Sequence, residues 1–377
     1  MLDTLRAYKN KITNRFFGVV HVPAQGKRKG YVLLSYLSAP LALAPGEFFT
    51  DPHSSYWESA EIARLFSARG YAVDVIDTRR HYFVPRRPYA ACVDNQQDLG
   101  RLERYLPASC KKVVHIDNPY YPFYNKIEEE RLAAFAQRRG QALAPKRHVD
   151  TSNRATRADF LEGLGNASVH ATFAQFNRPV FRIPISVVNQ FEYPEQKDFS
   201  LARKHFLWFG GGGAVLKGLD VVVEAFAQLP HLTLHIIGAS TAEEAFAKAY
   251  ERELALPNII QYSRPRLTKD GEMLVHNKPF VDVVGQCAAL IYPSAADGTS
   301  GAVVQAMHAG IIPVVTPQTG LQEDAPAILM TNPTVESVRA QVEAIAATDP
   351  VVLQSKAREG WEHARARHTK ETFSAAY

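Results

Sequence analysis

The sequence predicts an α/β protein made of two doubly wound, Rossmann-like domains that face each other across a cleft. Three observations predict it. Short β-type runs alternate with helical runs along almost the whole chain, the pattern of parallel sheets covered by helices. The alternation is interrupted by a turn-rich polar stretch, Asn189 to Lys204, and then restarts. The length, 377 residues, is long for one core and comfortable for two.

The first half opens its alternation with a strand at Tyr31–Tyr36, followed by a helix from about Tyr56 to Arg69. Ile62, Leu65 and Phe66 share one face of that helix, and Gly70 stands where a C-terminal glycine stops one. Tyr71–Ile76 reads as the next strand, so strand, helix and strand form a βαβ unit and hence a parallel sheet. Lys112–Ile116 repeats the strand signal, Glu128–Arg139 is an amphipathic helix closed by Gly140, and Val180–Ile185 is the last strand of this half. After the linker come strands at Phe206–Phe209, Leu232–Ile237, Ile259–Tyr262, Ala289–Tyr292 and Ile311–Val315. Helices at Leu219–Ala227, Ala242–Leu254, Phe280–Cys287, Ser300–Ala309 and Val335–Ala347 fall between or after them. The predicted organisation is a domain over 1–190, a linker over 191–204, a second domain over 205–350 and charged helices over 351–377.

Composition narrows the class. With 46% hydrophobic and 21% charged residues the chain is globular. No apolar run approaches the ~20 residues that cross a bilayer. The stretch Met1–Phe17 carries Arg6, Lys9, Lys11 and Arg15 without the unbroken apolar run of a secretory signal, so the expected compartment is the cytoplasm. Cys92, Cys110 and Cys287 lack CxxC spacing, which argues against a disulfide framework or structural zinc; Cys287 reads as core. The formal charge of +5 is partly local, in Lys27–Lys29 and in Arg79, Arg80, Arg86 and Arg87. A solvated basic surface is the plain reading. The sharper one is peripheral contact with anionic lipid at the inner face of a membrane, helped by Leu2, Leu5, Ile12, Phe16 and Phe17 on an amphipathic leader. No basic stretch is interleaved with aromatics and no reader motif appears, so nucleic acid is not an expected partner.

Two motifs carry chemistry. Phe209-Gly-Gly-Gly-Gly-Ala-Val-Leu-Lys-Gly-Leu219 follows a buried strand, and Gly211, Gly212 and Gly213 let backbone N–H groups approach an anion closely. Lys217 adds its ammonium at the start of the next helix. A P-loop would need Ser or Thr after Gly-Lys, and a dinucleotide GxGxxG would need glycine where Val215 stands. A tight turn with a surface lysine is the plain alternative. The second motif runs from Tyr292 to Gly310, where a loop of small residues leads into a helix beginning at Thr299, Ser300 and Gly301. Free N–H groups there form a second anion site on the same sheet edge. Asp297 and Gln305 flank it, as suits hydroxyls beside a diphosphate; an N-capped core helix is the plain alternative.

These stretches resemble the C-terminal domain of retaining glycosyltransferases of family 4, the "group 1" type with the GT-B fold. The resemblance rests on Lys217-Gly218, Pro293-Ser294, Asp297-Gly298, Ala306-Met307, Gly310 and Pro313-Val314-Val315, and covers roughly residues 203–325. In the first half it is looser, touching Asn125, Glu129, Arg131, Arg138-Arg139-Gly140 and Gly165-Asn166. It implies a nucleotide-diphosphate-sugar donor held by Lys217, Gly298, Thr299, Ser300 and Gly301, no metal and no other cofactor. The family's paired glutamates fall on Asp297, facing the donor sugar, and Gln305, facing the ribose. The arginine that the family often carries in the glycine loop is missing here. The acceptor would be a glycan or lipid-linked molecule. If transfer inverts, a base must come from the first half, with His53 and Asp117 as candidates. His308 reads as packing, and Tyr120, Tyr121 and Phe123 are a candidate acceptor wall. The replaced glutamates also leave open a degenerate GT-B protein that binds without turnover.

Overall fold

A computed structural model of the chain describes residues 2–78, 82–238 and 243–377. The expected helix start at Ala242, the arginines Arg79 and Arg80, and the side chain of Leu2 lie outside the described residues.

The first sheet holds β1 (Val19–Val22), β2 (Gly30–Tyr36), β3 (Tyr71–Asp77), β4 (Tyr89–Asp94), β5 (Lys111–Ile116), β6 (Phe160–Gly163) and β7 (Val180–Arg182). Their order is β1-β3-β2-β4-β5-β6-β7, parallel except for β1, which runs antiparallel to β3. The order reverses between β2 and β4. The sequence pattern missed β1, β4 and β6, and only Val180–Arg182 of the expected last strand pairs. The helix expected from Glu128 begins at Tyr121, with Pro122 in its first turn where a missing N–H loses nothing, and ends at Gly140 with φ 71°.

The second sheet holds β8 (His205–Gly210), β9 (Thr233–Gly238), β10 (Ile259–Tyr262), β14 (Ala289–Tyr292), β15 (Ile312–Val315) and β16 (Ile328–Leu329). Its order, β10-β9-β8-β14-β15-β16, is parallel throughout, with the switch between β8 and β14. Between them, β11 (Arg266–Leu267), β12 (Met273–Val275) and β13 (Lys278–Pro279) form a small antiparallel sheet. In open α/β sheets a switch point leaves a crevice at the carboxyl ends of the strands, where ligands bind.

The two halves exchange elements. The Tyr121–Arg139 helix belongs by sequence to the first half, yet Phe135 is fully buried in the core of the second, its ring 5.9 Å from that of Tyr250. Asp220, fully buried, accepts from Arg131 at 3.0 Å and Arg138 at 2.6 Å, and Arg138 also pairs with Glu224 at 2.9 Å. In return the Pro350–Arg367 helix packs on the second domain through Leu353, Ala357 and Ala364, after which the Lys370–Ala376 helix crosses back. There Phe373 is fully buried in the core under the first sheet and meets Trp57 edge-on at 5.7 Å. Inside the first sheet, His115 on β5 pairs with Glu162 on β6 at 2.9 Å. The three cysteines are free and buried.

Candidate functional site

The carboxyl ends of β8 and β14 bring the two sequence motifs together. Lys217 turns inward to Asp297, Nζ to Oδ1 at 3.7 Å, and both side chains are largely buried. Burial pulls the Lys217 ammonium below the usual lysine range, and Asp297 opposes that pull. Asp297 is held by the Tyr292 hydroxyl at 3.0 Å and the Ser294 hydroxyl at 3.3 Å.

The second motif forms a helix over Gly301–His308. Its N-cap residue, Ser300, makes no side-chain cap, and the N–H groups of Gly301 and Ala302 have no acceptor among the described residues. The Ser300 N–H is taken by the Thr319 carbonyl at 3.1 Å. Thr299 stitches the domains: its hydroxyl accepts from the Gly165 N–H at 3.0 Å and donates to the Gly320 carbonyl at 3.1 Å. Asn166 donates to the carbonyls of Pro317 and Leu321 across the same junction. Gly298 lies so close to the first domain that a Cβ there would stand 2.1 Å from the Asp117 carbonyl oxygen.

The first domain brings a helix start of its own to this point. The Ser54–Ala68 helix is capped by His53, whose Nδ1 accepts from the Ser55 N–H at 3.3 Å. Ser54 Oγ would lie 3.6 Å from a Cβ on Gly301, so two helix N-termini meet at the junction. Burial in the junction pushes the His53 imidazole below its ordinary value, and the Lys217 and Arg147 cations push the same way, while Asp51 opposes them. The residue remains exposed to water, which limits the push. With Nδ1 accepting, the neutral ring carries its proton on Nε2 and can donate there, which is the opposite of a base.

The glycine loop holds an anion already, from within the chain. Glu243 accepts from the N–H groups of Gly213 at 2.5 Å and Ala214 at 3.1 Å, while Gly211 and Gly212 are partly exposed. Burial raises the Glu243 carboxyl, and those two amides hold it down. Gln305 is turned to the linker: its amide donates to the Asn189 carbonyl at 2.6 Å and accepts from the Asn189 N–H at 3.3 Å.

Of the candidates in the first half, Asp117 is raised by burial and accepts from Asn95 and Tyr121, each at 3.3 Å. Tyr120 packs on Phe173 and Phe176, Tyr121 is buried against Leu216 and Ala296, and Phe123 is exposed. His308 is fully buried and bonded to the His368 carbonyl at 2.9 Å, which is packing. Among the described residues no group of three or more His, Cys, Asp or Glu is placed to hold a metal ion, and no helix is long and apolar enough to cross a membrane.

Two residues escaped the sequence. Arg147 reaches the glycine loop from the first half, its Nε donating to the Tyr124 hydroxyl at 3.0 Å, and Glu243 plugs that loop from behind. Arg147 sits in a stretch without motif or periodicity, Glu243 falls at the start of the expected helix over 242–254, and nothing local announces their partners.

Residues 203–353 match the family model described as glycosyl transferases group 1. No curated protein matches the sequence. Among solved structures, sucrose-phosphate synthase from Thermosynechococcus elongatus shares 12% identity at a TM-score of 0.60, over 92% of this chain and 97% of that one. WaaG, a glycosyltransferase involved in lipopolysaccharide biosynthesis, shares 15% at 0.58, over 92% and 98%. HepE of Anabaena, in complex with UDP-glucose, shares 13% at 0.55, over 92% and 97%. The chain spans only about half the length of TarM, 54% in its complex with UDP. At these identities the likeness is one of fold, two Rossmann-like domains of the GT-B type.

Proposed function

We propose that this chain of GT-B fold is a group 1 glycosyltransferase that moves a sugar from a nucleotide-diphosphate donor to a glycan or lipid-linked acceptor, with retention and without a metal ion. One observation carries the reading: Lys217 and the open helix start at Gly301 converge at the β8/β14 switch point, facing a second helix start from the other domain. A departing diphosphate needs positive potential fixed in advance, and a cation with uncapped helix N-termini supplies it. In the transfer the bond from the anomeric carbon to the phosphate oxygen breaks, and a bond to the acceptor oxygen forms on the same face. The acceptor proton passes to the leaving phosphate. Retention is supported by the state of the candidate bases, since His53 presents a proton and Asp117 is tied to Asn95 and Tyr121. Asp297 would meet the donor sugar, and His53 Nε2–H would donate to it or to the leaving oxygen.

Calorimetric titration with UDP, GDP, ADP and their sugar forms tests this reading. Lys217→Met should weaken the tightest diphosphate roughly 10- to 100-fold, the worth of a hydrogen bond to a charged group. Transfer at wild-type rate in that variant would overturn the mechanism.

A second reading has its own observation. Gln305 and Asp297 both spend their hydrogen bonds inside the protein, as expected of a GT-B protein that binds nucleotide without turnover. Any donor hydrolysis or transfer above background eliminates it.

We also propose that the chain works at an anionic membrane surface. The Leu2–Phe17 helix is turned inside out: Asn10 is buried and bonded both ways to the His21 backbone, while Leu5, Tyr8, Ile12 and Phe16 share an exposed face. Arg6, Lys9, Lys11 and Arg15 lie around that stripe, and apolar surface ringed by cations matches the headgroup region of anionic lipid.

A further inference from the structure

Resting on the transferase reading, we infer that Arg147 is the second cation on the donor diphosphate, supplied by the first domain in place of the arginine absent from the glycine loop. The loop itself offers the phosphate little. Its Gly213 and Ala214 amides are engaged by Glu243, so side chains must add to the positive potential on the β8 side. Lys217 is one such side chain, and Arg147 is a second cation close enough to Lys217, Asp297 and His53 to interact with them electrostatically.

Its position is built. The backbone N–H groups of Lys146 and Arg147 both donate to Glu128 Oε1, at 2.9 and 2.7 Å, which fixes the turn that aims the side chain. The Tyr124 hydroxyl orients the guanidinium through Nε, leaving the forked Nη end without a hydrogen-bond partner among the described residues. Gly213, at φ 90°, makes room: a Cβ there would lie 2.5 Å from Arg147 Cγ. Among the described residues no carboxylate lies within 4.0 Å of this guanidinium, unlike Arg131 and Arg138 on the same helix-and-loop segment. A half-buried guanidinium with a free planar fork is suited to two oxygens of an anionic phosphate at once, and a diphosphate offers such pairs of oxygens with a double negative charge. Because Arg147 and Lys217 come from different halves, the donor would be gripped across the domain junction.

The test compares affinities of nucleoside diphosphates and monophosphates (UDP and UMP, GDP and GMP, ADP and AMP) for wild type, Arg147→Ala, Arg147→Lys and Gly213→Ala. The expected result is a loss of about tenfold or more for the preferred diphosphate in Arg147→Ala, with the preference for diphosphate over monophosphate reduced. Arg147→Lys should recover part of that loss. Gly213→Ala, which displaces the arginine without removing it, should reproduce it. A structural role alone would weaken both nucleotides equally, so an unchanged ratio overturns the inference, as does wild-type diphosphate affinity in Arg147→Ala. Should Arg147→Ala fail to fold, the ratio in Gly213→Ala decides. A wild-type chain that binds none of the three diphosphates overturns the transferase reading beneath it instead.

Discussion

Replacing Asp220 by alanine should destabilise the protein by about 3 kcal/mol, the low end of what breaking a buried ion pair costs. The carboxylate is fully buried and bound to two guanidiniums, Arg131 at 3.0 Å and Arg138 at 2.6 Å. Without it Arg131, whose side chain is only 17% exposed, keeps a long bond to the Val215 carbonyl at 3.4 Å. Arg138 is 29% exposed and retains Glu224, so one of the two stranded charges stays half-compensated, which places the loss at the low end. Asp220 also lies in the first turn of the Leu219–Phe226 helix, where a negative charge adds roughly 0.5 kcal/mol. Urea unfolding of wild type, Asp220→Ala, the double variant Arg131→Met with Arg138→Met, and the triple variant that combines them gives the loss and the coupling. The triple variant should recover at least ~1.5 kcal/mol of the loss, because no unpaired cation remains in it. A loss below ~0.5 kcal/mol, or one identical with and without the arginines, would refute a stabilising role for these ion pairs. The same change should weaken nucleotide binding, since the Tyr121–Arg139 helix carries Tyr124 and Glu128, which set Arg147.

Three further outcomes follow from the geometry. Burial alone would lower His115, but the Glu162 carboxylate outweighs it and raises the imidazole to about 9. The stability this pair contributes is therefore full below the unfolded value of about 6.5 and lost as pH rises towards 9, roughly 3 kcal/mol in all. His115→Gln should flatten the melting temperature over that window; an unchanged slope sinks the assignment. Gly298→Ala places a methyl 2.1 Å from the Asp117 carbonyl and should hold the domains apart, abolishing transfer while far-UV circular dichroism stays native. Full activity there would mean the junction opens freely. Ile12→Asp with Phe16→Asp should abolish sedimentation with phosphatidylserine vesicles while leaving neutral vesicles and nucleotide affinity unaffected; retained binding removes the membrane reading.

The sequence carried the second half well because its strands are buried on both faces and read as apolar runs, Phe206–Phe209 and Ala289–Tyr292 among them. Both small-residue motifs were legible because glycine and small residues at a strand end have few uses besides a turn or a close approach. The first half was less legible. Tyr89–Asp94 and Phe160–Gly163 are short and mixed, and they become strands only beside β2 and β5. The Tyr121–Arg139 helix announces its amphipathicity but not that its apolar side serves the other domain. Gln305 shows the limit most clearly. The family resemblance implies a ribose partner for it, and in the fold both ends of its amide meet the backbone of Asn189, a group that no pattern could pair with it.

The return of the Lys370–Ala376 helix has a consequence for biosynthesis. Phe373 fills the core beneath a sheet whose strands are all translated before residue 183, and its ribosomal synthesis must wait for the whole of 205–350. A nascent first domain therefore stays short of one aromatic plug beside Trp57 while the second is being made. Maturation of the earlier-born sheet is coupled to the later-born one, and an arrested or prematurely terminated polypeptide would display that vacancy to chaperones.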